Sequence, residues 1–312
     1  GQIMPPIMGA AAFLMAEFLG IKYTDVVKSA IIPAILYFVG VFMGVHFEAK
    51  KLGLKGTPRD QLPKFSYILI QEGHLLLPLI AIIYLLVSGF SLQFVALGSI
   101  IIAIVASFFR KSTRISLKDF FEALEKGARS ALGVATACAT AGIIVGVVTK
   151  TGLGLKLASA LIVIASNLAV SIGGVIQSVR SFFYNLVGVT YSANPEMLIS
   201  SLKIIFTLFM AMLTSIILGM GVPTTANYII TSTIAAPALL LLSVKPIAAH
   251  MFVFYFGIIA DITPPVALAA YAGAAIAKAD PFKTGVTATR LSIGAFIVPY
   301  MFVLAPQLLL LG

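Results

Sequence analysis

Apolar residues fill this chain in blocks, and short polar, glycine- or proline-bearing interruptions separate the blocks. A hydrocarbon core of ~30 Å takes ~20 helical residues, so the blocks predict membrane helices. The pattern places them at about residues 6–19, 30–46, 75–88, 92–109, 131–148, 247–277 and 287–311. Between the fifth and sixth lie two apolar limbs, 203–218 and 228–242, separated by "GMGVPTTAN". The segment "SLKDFFEALEKGARS", residues 116–130, alternates apolar and charged positions at helical spacing and predicts an amphipathic arm on the membrane surface. Residues 153–167 are apolar but short and open on Gly152 and Gly154, which predicts an interfacial or re-entrant arm. Residues 173–196 are mixed and poorly patterned and read as an irregular insertion.

Composition sharpens the class. Hydrophobic residues make up 60% of the chain and charged ones 10%, against about a quarter charged in ordinary soluble domains. Mean hydropathy is +1.08. Lipid admits only helices or closed barrels, and the alternating ten-residue pattern of barrel strands does not occur, so the fold class is all-α polytopic membrane protein. The net charge of +10 raises the question of nucleic acid. The basic residues sit in short loops between apolar blocks, as membrane topology requires, and a nucleic-acid partner is excluded on that ground. If "GMGVPTTAN" is the tip of a re-entrant hairpin, fourteen Lys and Arg fall on one side of the membrane and seven on the other. The richer side is then cytoplasmic and the chain ends outside. Cys138 is the single cysteine and lies within an apolar block, so the chain has no internal disulfide. The chain opens on Gly1-Gln2 without a charged leader and reads as cut from a longer protein.

Two interruptions resemble each other. Shifting the sequence by 259 positions superposes Ile3-x-Pro5-Pro6-x-x-x-Ala10-Ala11 on Ile262-x-Pro264-Pro265-x-x-x-Ala269-Ala270. Both copies continue through an apolar helix to an aromatic at the same distance, Tyr23 and Phe282. In the topology above they run in opposite directions. Inverted repeats that each contain an interrupted helix point to a secondary transporter with its site at the midplane. The second copy is preceded by a hairpin, whereas the first begins at its break, so its hairpin is expected upstream of Gly1.

Proline has no N–H and clashes with the carbonyl four residues back. Pro264 and Pro265 should therefore leave the carbonyls of Ala260 and Asp261 without helical donors. An aspartate near the bilayer centre costs ~3 kcal/mol on insertion scales, so Asp261 needs a partner or a function. Free carbonyls beside a carboxylate suit a hard cation such as Na⁺; a protonatable Asp261 suits H⁺ instead. Gln2 offers an amide oxygen at the equivalent place. On the far side of the break Thr263 can cap and Pro264 sits at an early helical position, which aims a positive helix end at a substrate carboxylate. The hairpin tip adds the flexible Gly219 and Gly221, the kink at Pro223, and oxygens of Thr224, Thr225 and Asn227.

Three blocks carry a family resemblance: "GMGVPTTANY", "HMFVFYFGIIADITPPVALAAYAGAAIAKADPF" and "GQIMPPIMGAAAFLMAEFLGI". They resemble the large membrane (M) subunit of TRAP transporters, most closely the fused permeases paired with TAXI-type binding proteins. The resemblance implies an inverted-repeat, elevator-type transporter whose hairpins and interrupted helices carry Na⁺ and substrate past a fixed scaffold. It implies three further partners: a soluble binding protein that delivers a small organic anion, a small Q-type membrane subunit or its fused equivalent, and the bilayer of a prokaryotic inner membrane. Transferred residue by residue, the cation set is Gly1, Gln2, Pro5, Gly219, Gly221, Thr224, Ala260 and Asp261. The substrate set is Pro6, Pro223, Thr225, Asn227, Thr263, Pro264 and Pro265. The domain plan follows. Residues 1–29 end the first transport repeat, 30–130 form scaffold and amphipathic arm, 131–200 a helix, arm and insertion, 201–285 the second transport repeat, and 286–312 a final helix. The chain departs from the family in the absent first hairpin and in residues 173–196, which look longer than the family pattern.

The remaining polar residues point elsewhere. His46, His74 and His250 lie near predicted span ends, far apart, and suit the interface rather than a metal. Glu72 beside His74 reads as a boundary pair, Gly142 and Gly146 as a close-packing face, and Glu17 as solvated. Lys203 and Arg180 are expected to snorkel. No organic cofactor is expected. An intramembrane enzyme would need a nucleophile–base pair or metal cluster at depth, and the sequence offers neither. The competing transport reading is a dicarboxylate elevator that takes substrate directly from solution.

Overall fold

The computed structural model describes residues 1–6, 8–58, 62–187 and 195–311. In chain order the helices are α1 (Ala10–Leu19), α2 (Tyr23–Lys51), α3 (Phe65–Glu72), α4 (Leu77–Val87), α5 (Leu92–Ser107), α6 (Leu117–Lys150) and α7 (Leu153–Val187). There follow α8 (Pro195–Gly219), α9 (Thr224–Ile234), α10 (Ala236–Leu240), α11 (Pro246–Ile259), α12 (Leu268–Ala277), α13 (Pro281–Leu291) and α14 (Ile293–Leu304). There is no strand among the described residues. Five helical stretches are long and apolar enough to cross a membrane, or six if the pair α13–α14, bent by 41°, is one span. The chain is an all-α, multi-pass membrane protein.

The core is built around α11. Its residues are apolar on all sides, and such a helix must be covered all round; every residue from Ile247 to Gly257 is buried. It is enclosed by α8, α9, α10, α14 and α1. Phe252 meets Phe256 and Tyr300 edge-on, and Tyr255 meets Phe302 at 5.6 Å between ring centres, the offset geometry aromatic quadrupoles favour. The one basic group in this helix is satisfied locally: His250 Nδ1 lies 2.7 Å from the Tyr228 hydroxyl on α9. His250 is thus a buried link between the hairpin and α11, not an interfacial side chain as its position near a span end suggested.

Helix α2 packs along α14 at close range. Gly40 faces Gly294, and a Cβ at Gly44 would come 2.5 Å from the Leu291 carbonyl, so backbone meets backbone there. Beyond this contact Glu48 forms an ion pair of 2.9 Å with Arg290 of α13. By contrast α3, α4 and α5 pack mainly on one another. They meet the main core through Leu86 and Val95.

Two expected interruptions do not occur. The amphipathic segment and the apolar helix after it form one helix, α6. It is started by a capping box in which Ser116 Oγ accepts from Asp119 N–H and Asp119 accepts from Ser116 N–H. Its charged half carries Glu122–Lys126 and Glu125–Arg129 pairs one turn apart. The two halves share one helical phase, so nothing forces a break. Residues 153–187 likewise form the single helix α7 in place of a short arm and an irregular stretch. Gly173 and Gly174 cost about 1 kcal/mol each inside a helix, too little to end one of this length. Residues 188–194 of the expected insertion lie outside the described residues, and its last two, Pro195 and Glu196, begin α8. The close-packing expectation at Gly142 and Gly146 also fails, since nothing among the described residues comes within 4 Å of a Cβ built there.

Candidate functional site

The second break is assembled from a short 3-10 turn, Ala260–Ile262, an extended Thr263, and Pro264–Pro265 joined by a cis peptide bond. Ala267 then takes a left-handed conformation, φ 37°, before α12 begins. Six residues with few regular main-chain bonds must find partners elsewhere. Thr263 Oγ1 donates to the Ile259 carbonyl at 2.8 Å, and Thr289 Oγ1 reaches back from α13 to the Ile262 carbonyl at 3.0 Å. Ala260 keeps a partner, because Thr263 N–H donates to its carbonyl at 3.2 Å. The expectation that the prolines would free Ala260 is therefore corrected. It stands for Asp261, whose helical donor would be Pro265, a residue without an N–H. Thr263 does not cap, and Pro264 is not in the first helical turn: α12 starts at Leu268, with Ala267 before it. The positive helix end therefore lies four residues farther along than sequence suggested.

The hairpin tip meets this break. After α8 ends at Gly219 the chain turns through Gly221, φ 73°, and Pro223 into α9. A cavity of about 420 Å³ is lined by Gly221, Val222, Pro223, Thr224, Asp261, Leu268 and Ala269. It unites the tip, the carboxylate and the first residues of α12. Asp261 is half-buried beside it.

Asn227 does not face that cavity as a surface ligand. It is 1% exposed, held between two glycines on different helices. A Cβ added at Gly219 or at Gly257 would come within 2.7 Å of its Nδ2. Its Oδ1 is buried and has no hydrogen-bond partner among the described residues. A buried, unpaired amide oxygen costs about 1–3 kcal/mol, so its presence needs an explanation. Gly257 was not legible as a site residue, since nothing local distinguishes it from other helix glycines. Only the packing of α11 against the tip gives it a role.

The first break repeats some of this geometry. Pro5–Pro6 is also cis, α1 begins at Ala10 directly after an extended Gly9, and Gly9 N–H donates to the Gln2 carbonyl at 3.0 Å. A cavity of about 560 Å³ is lined by Gly1, Gln2, Met4, Pro5, Pro6, Met8, Gly9 and Leu79. The structure thus gathers eight of the fifteen expected residues into two separate groups; Gly219, Ala260, Thr263, Pro264 and Pro265 line neither cavity. Gly1, Gln2, Pro5 and Pro6 line one cavity, whereas Gly221, Pro223, Thr224 and Asp261 line the other. Thr225 joins neither. It lines a third, larger space of about 850 Å³, with α1 residues such as Phe13 and Glu17, Tyr23 of α2 and Cys138 of α6.

Among the described residues no three His, Cys, Asp or Glu side chains cluster as metal ligands. His74 Nε2 pairs with Thr113 Oγ1 at 3.1 Å rather than with Glu72. What the second cavity offers is oxygen: the Asp261 carboxylate, the Thr224 hydroxyl and main-chain groups of the tip. That set suits a hard cation and a helix start that can face an anion.

A multi-pass helical membrane protein with paired proline breaks, one of them closed over by a glycine-rich hairpin tip, has the architecture of a membrane permease. The chain belongs to the family of the DctM component of tripartite ATP-independent periplasmic transporters, whose model matches residues 1–312. It is therefore the large membrane component of a transporter for organic acids, working with a substrate-binding protein and a small membrane subunit. No curated protein matches the chain.

Proposed function

We propose that the second break and the hairpin tip form the transport site of a cation-coupled permease for small organic anions. The observation that carries this reading is the cavity in which Thr224, Gly221 and Asp261 meet the start of α12. A half-buried carboxylate and a helix N-terminus facing one space suit a cation and an anion bound together, each lowering the cost of the other. Asp261, Thr224 and the carbonyls of Gly219 and Gly221 are the groups that would hold Na⁺. The unpaired Asn227 Oδ1 behind the tip adds a further oxygen if the tip shifts on binding. The α12 N–H groups would orient a substrate carboxylate, with Pro223, Leu268 and Ala269 shaping the walls. Gln2 and the carbonyls of Gly1 and Pro5 form the equivalent, uncharged set at the first break.

In this reading the hairpin and both breaks move together across the membrane past a fixed scaffold, and a TAXI-type binding protein delivers substrate from outside. The membrane is a prokaryotic inner membrane with the C-terminus on its outer face. The decisive experiment is uptake by the full-length transporter in proteoliposomes, with imposed Na⁺ or H⁺ gradients, with and without binding protein. Uptake driven by a Na⁺ gradient only when binding protein is present is the expected result. A proton-driven uptake reassigns Asp261 to proton transfer. Uptake without the binding protein overturns the delivery step in favour of direct capture of substrate from solution.

A further inference from the structure

The two breaks share a hydrogen bond that their sequence repeat does not predict. The carbonyl of the second proline lies just ahead of each restarted helix, outside its regular bonding, and needs a donor. At the first break the donor is Tyr23, whose hydroxyl donates to the Pro6 carbonyl at 2.9 Å. At the second it is Tyr271, whose hydroxyl donates to the Pro265 carbonyl at 2.6 Å. Pro6 and Pro265 are equivalent in the 259-residue repeat, but the tyrosines are not: Tyr23 aligns with Phe282, and Tyr271 aligns with Ala12. One hydroxyl arrives from the start of the following helix, α2. The other arrives from within the restarted helix, α12.

We propose that Tyr23 and Tyr271 are positioning residues for the transport site, each fixing the orientation of its break by holding the carbonyl of the second proline. This rests on the transport reading given above. A carbonyl engaged by a phenol cannot turn toward a bound ion, and its peptide plane sets the direction in which the next helix leaves. The two bonds differ in reach. Tyr23 is 8% exposed and packs on Phe13 of α1, with ring centres 4.4 Å apart. Its bond therefore ties the break, α1 and α2 into one unit, so a displacement of α2 would loosen the first site. Tyr271 spans six residues and stays with its own helix.

The test uses Tyr23→Phe and Tyr271→Phe in the full-length transporter, with Tyr300→Phe as control. Tyr300 also donates its hydroxyl, to Met212 Sδ at 3.3 Å, but away from both breaks. Each break variant should raise the cation concentration for half-maximal uptake about three- to tenfold, the range expected for one lost hydrogen bond. The maximal rate should stay within about twofold, which a general loss of folding would not allow. Hydrogen–deuterium exchange should rise about fivefold in residues 8–12 for Tyr23→Phe and in residues 266–272 for Tyr271→Phe, and in neither for Tyr300→Phe. Unchanged exchange at both breaks, or a control that behaves like the break variants, overturns the proposal. Cation-independent uptake by the unaltered protein would defeat the transport reading alone, and the exchange pattern would still decide whether the tyrosines hold the breaks.

Discussion

The two proline breaks are built on one plan and equipped differently. Both carry a cis Pro–Pro bond, a tyrosine on the second proline's carbonyl and a ten-residue helix ending in a left-handed residue, Gly20 or Lys278. The second break adds a carboxylate, two threonine hydroxyls on its carbonyls, and a hairpin tip across its cavity. The first has an amide, Gln2, and its cavity is closed on one side by Leu79 of α4. A shared backbone device therefore precedes both ten-residue helices, while charge is placed at one of them only. One full charge in this setting is affordable where a hydroxyl-rich tip can help to neutralise it; a second would double the desolvation cost without a second tip among these residues.

That asymmetry can be broken most directly at Asp261. Asp261→Asn should lower cation-driven uptake by about a hundredfold, because the cation loses the one charged group of the cavity and a charged contact is worth up to about 3 kcal/mol. Gln2→Ala should cost about tenfold at most, since a neutral hydrogen bond is worth about 1 kcal/mol. Equal losses in the two variants, measured as initial uptake rates, would remove the distinction between the breaks.

A second contrast concerns space rather than charge. Gly257→Ala places a Cβ 2.7 Å from Asn227 Nδ2, in a fully buried setting, and should destabilise the protein by about 1–3 kcal/mol as overpacking does. Gly9→Ala at the first break places a Cβ 3.4 Å from the flexible Gln2 side chain and should change stability by less than about 1 kcal/mol. Thermal unfolding in detergent separates the two. A tolerated Gly257→Ala would mean that the Asn227 cradle yields. The smallest effect is expected at the rim of the α2–α14 contact. Glu48→Gln removes a partly exposed ion pair with Arg290 and should alter stability by no more than about 1 kcal/mol. A larger loss would show that this pair, joining α2 to α13, matters more than the glycine contact of α2 with α14 at Gly40 and Gly294.

Much of the fold was legible because its signals are local. Apolar block length gave the helices, and proline pairs gave both breaks at the right residues. Where local signals misled, they did so for two reasons. At residues 130 and 173 a change of composition looked like a change of structure, but helical phase and good helix formers carried α6 and α7 through. At Thr263 and Pro264 the residue types of a helix start were present, but the turn at Ala267 delayed α12 to Leu268.

The candidate site divides along the same line. Sequence identified Gly221, Pro223, Thr224 and Asp261 because each is unusual within an apolar block, and these four share a cavity. It grouped Thr225 and Asn227 with them by proximity in the chain. A helix turns about 100° per residue, so Thr225 instead faces α1 while Asn227 is driven between Gly219 and Gly257. The sequence by itself determined that this is a helical membrane protein with two proline-bearing breaks, one of them charged. The tertiary structure alone decided which oxygens meet, which glycines must stay bare, and that tyrosines from non-equivalent positions hold both breaks. Those are contacts between residues distant in the chain, and no local periodicity encodes the angle at which two helices come to pack.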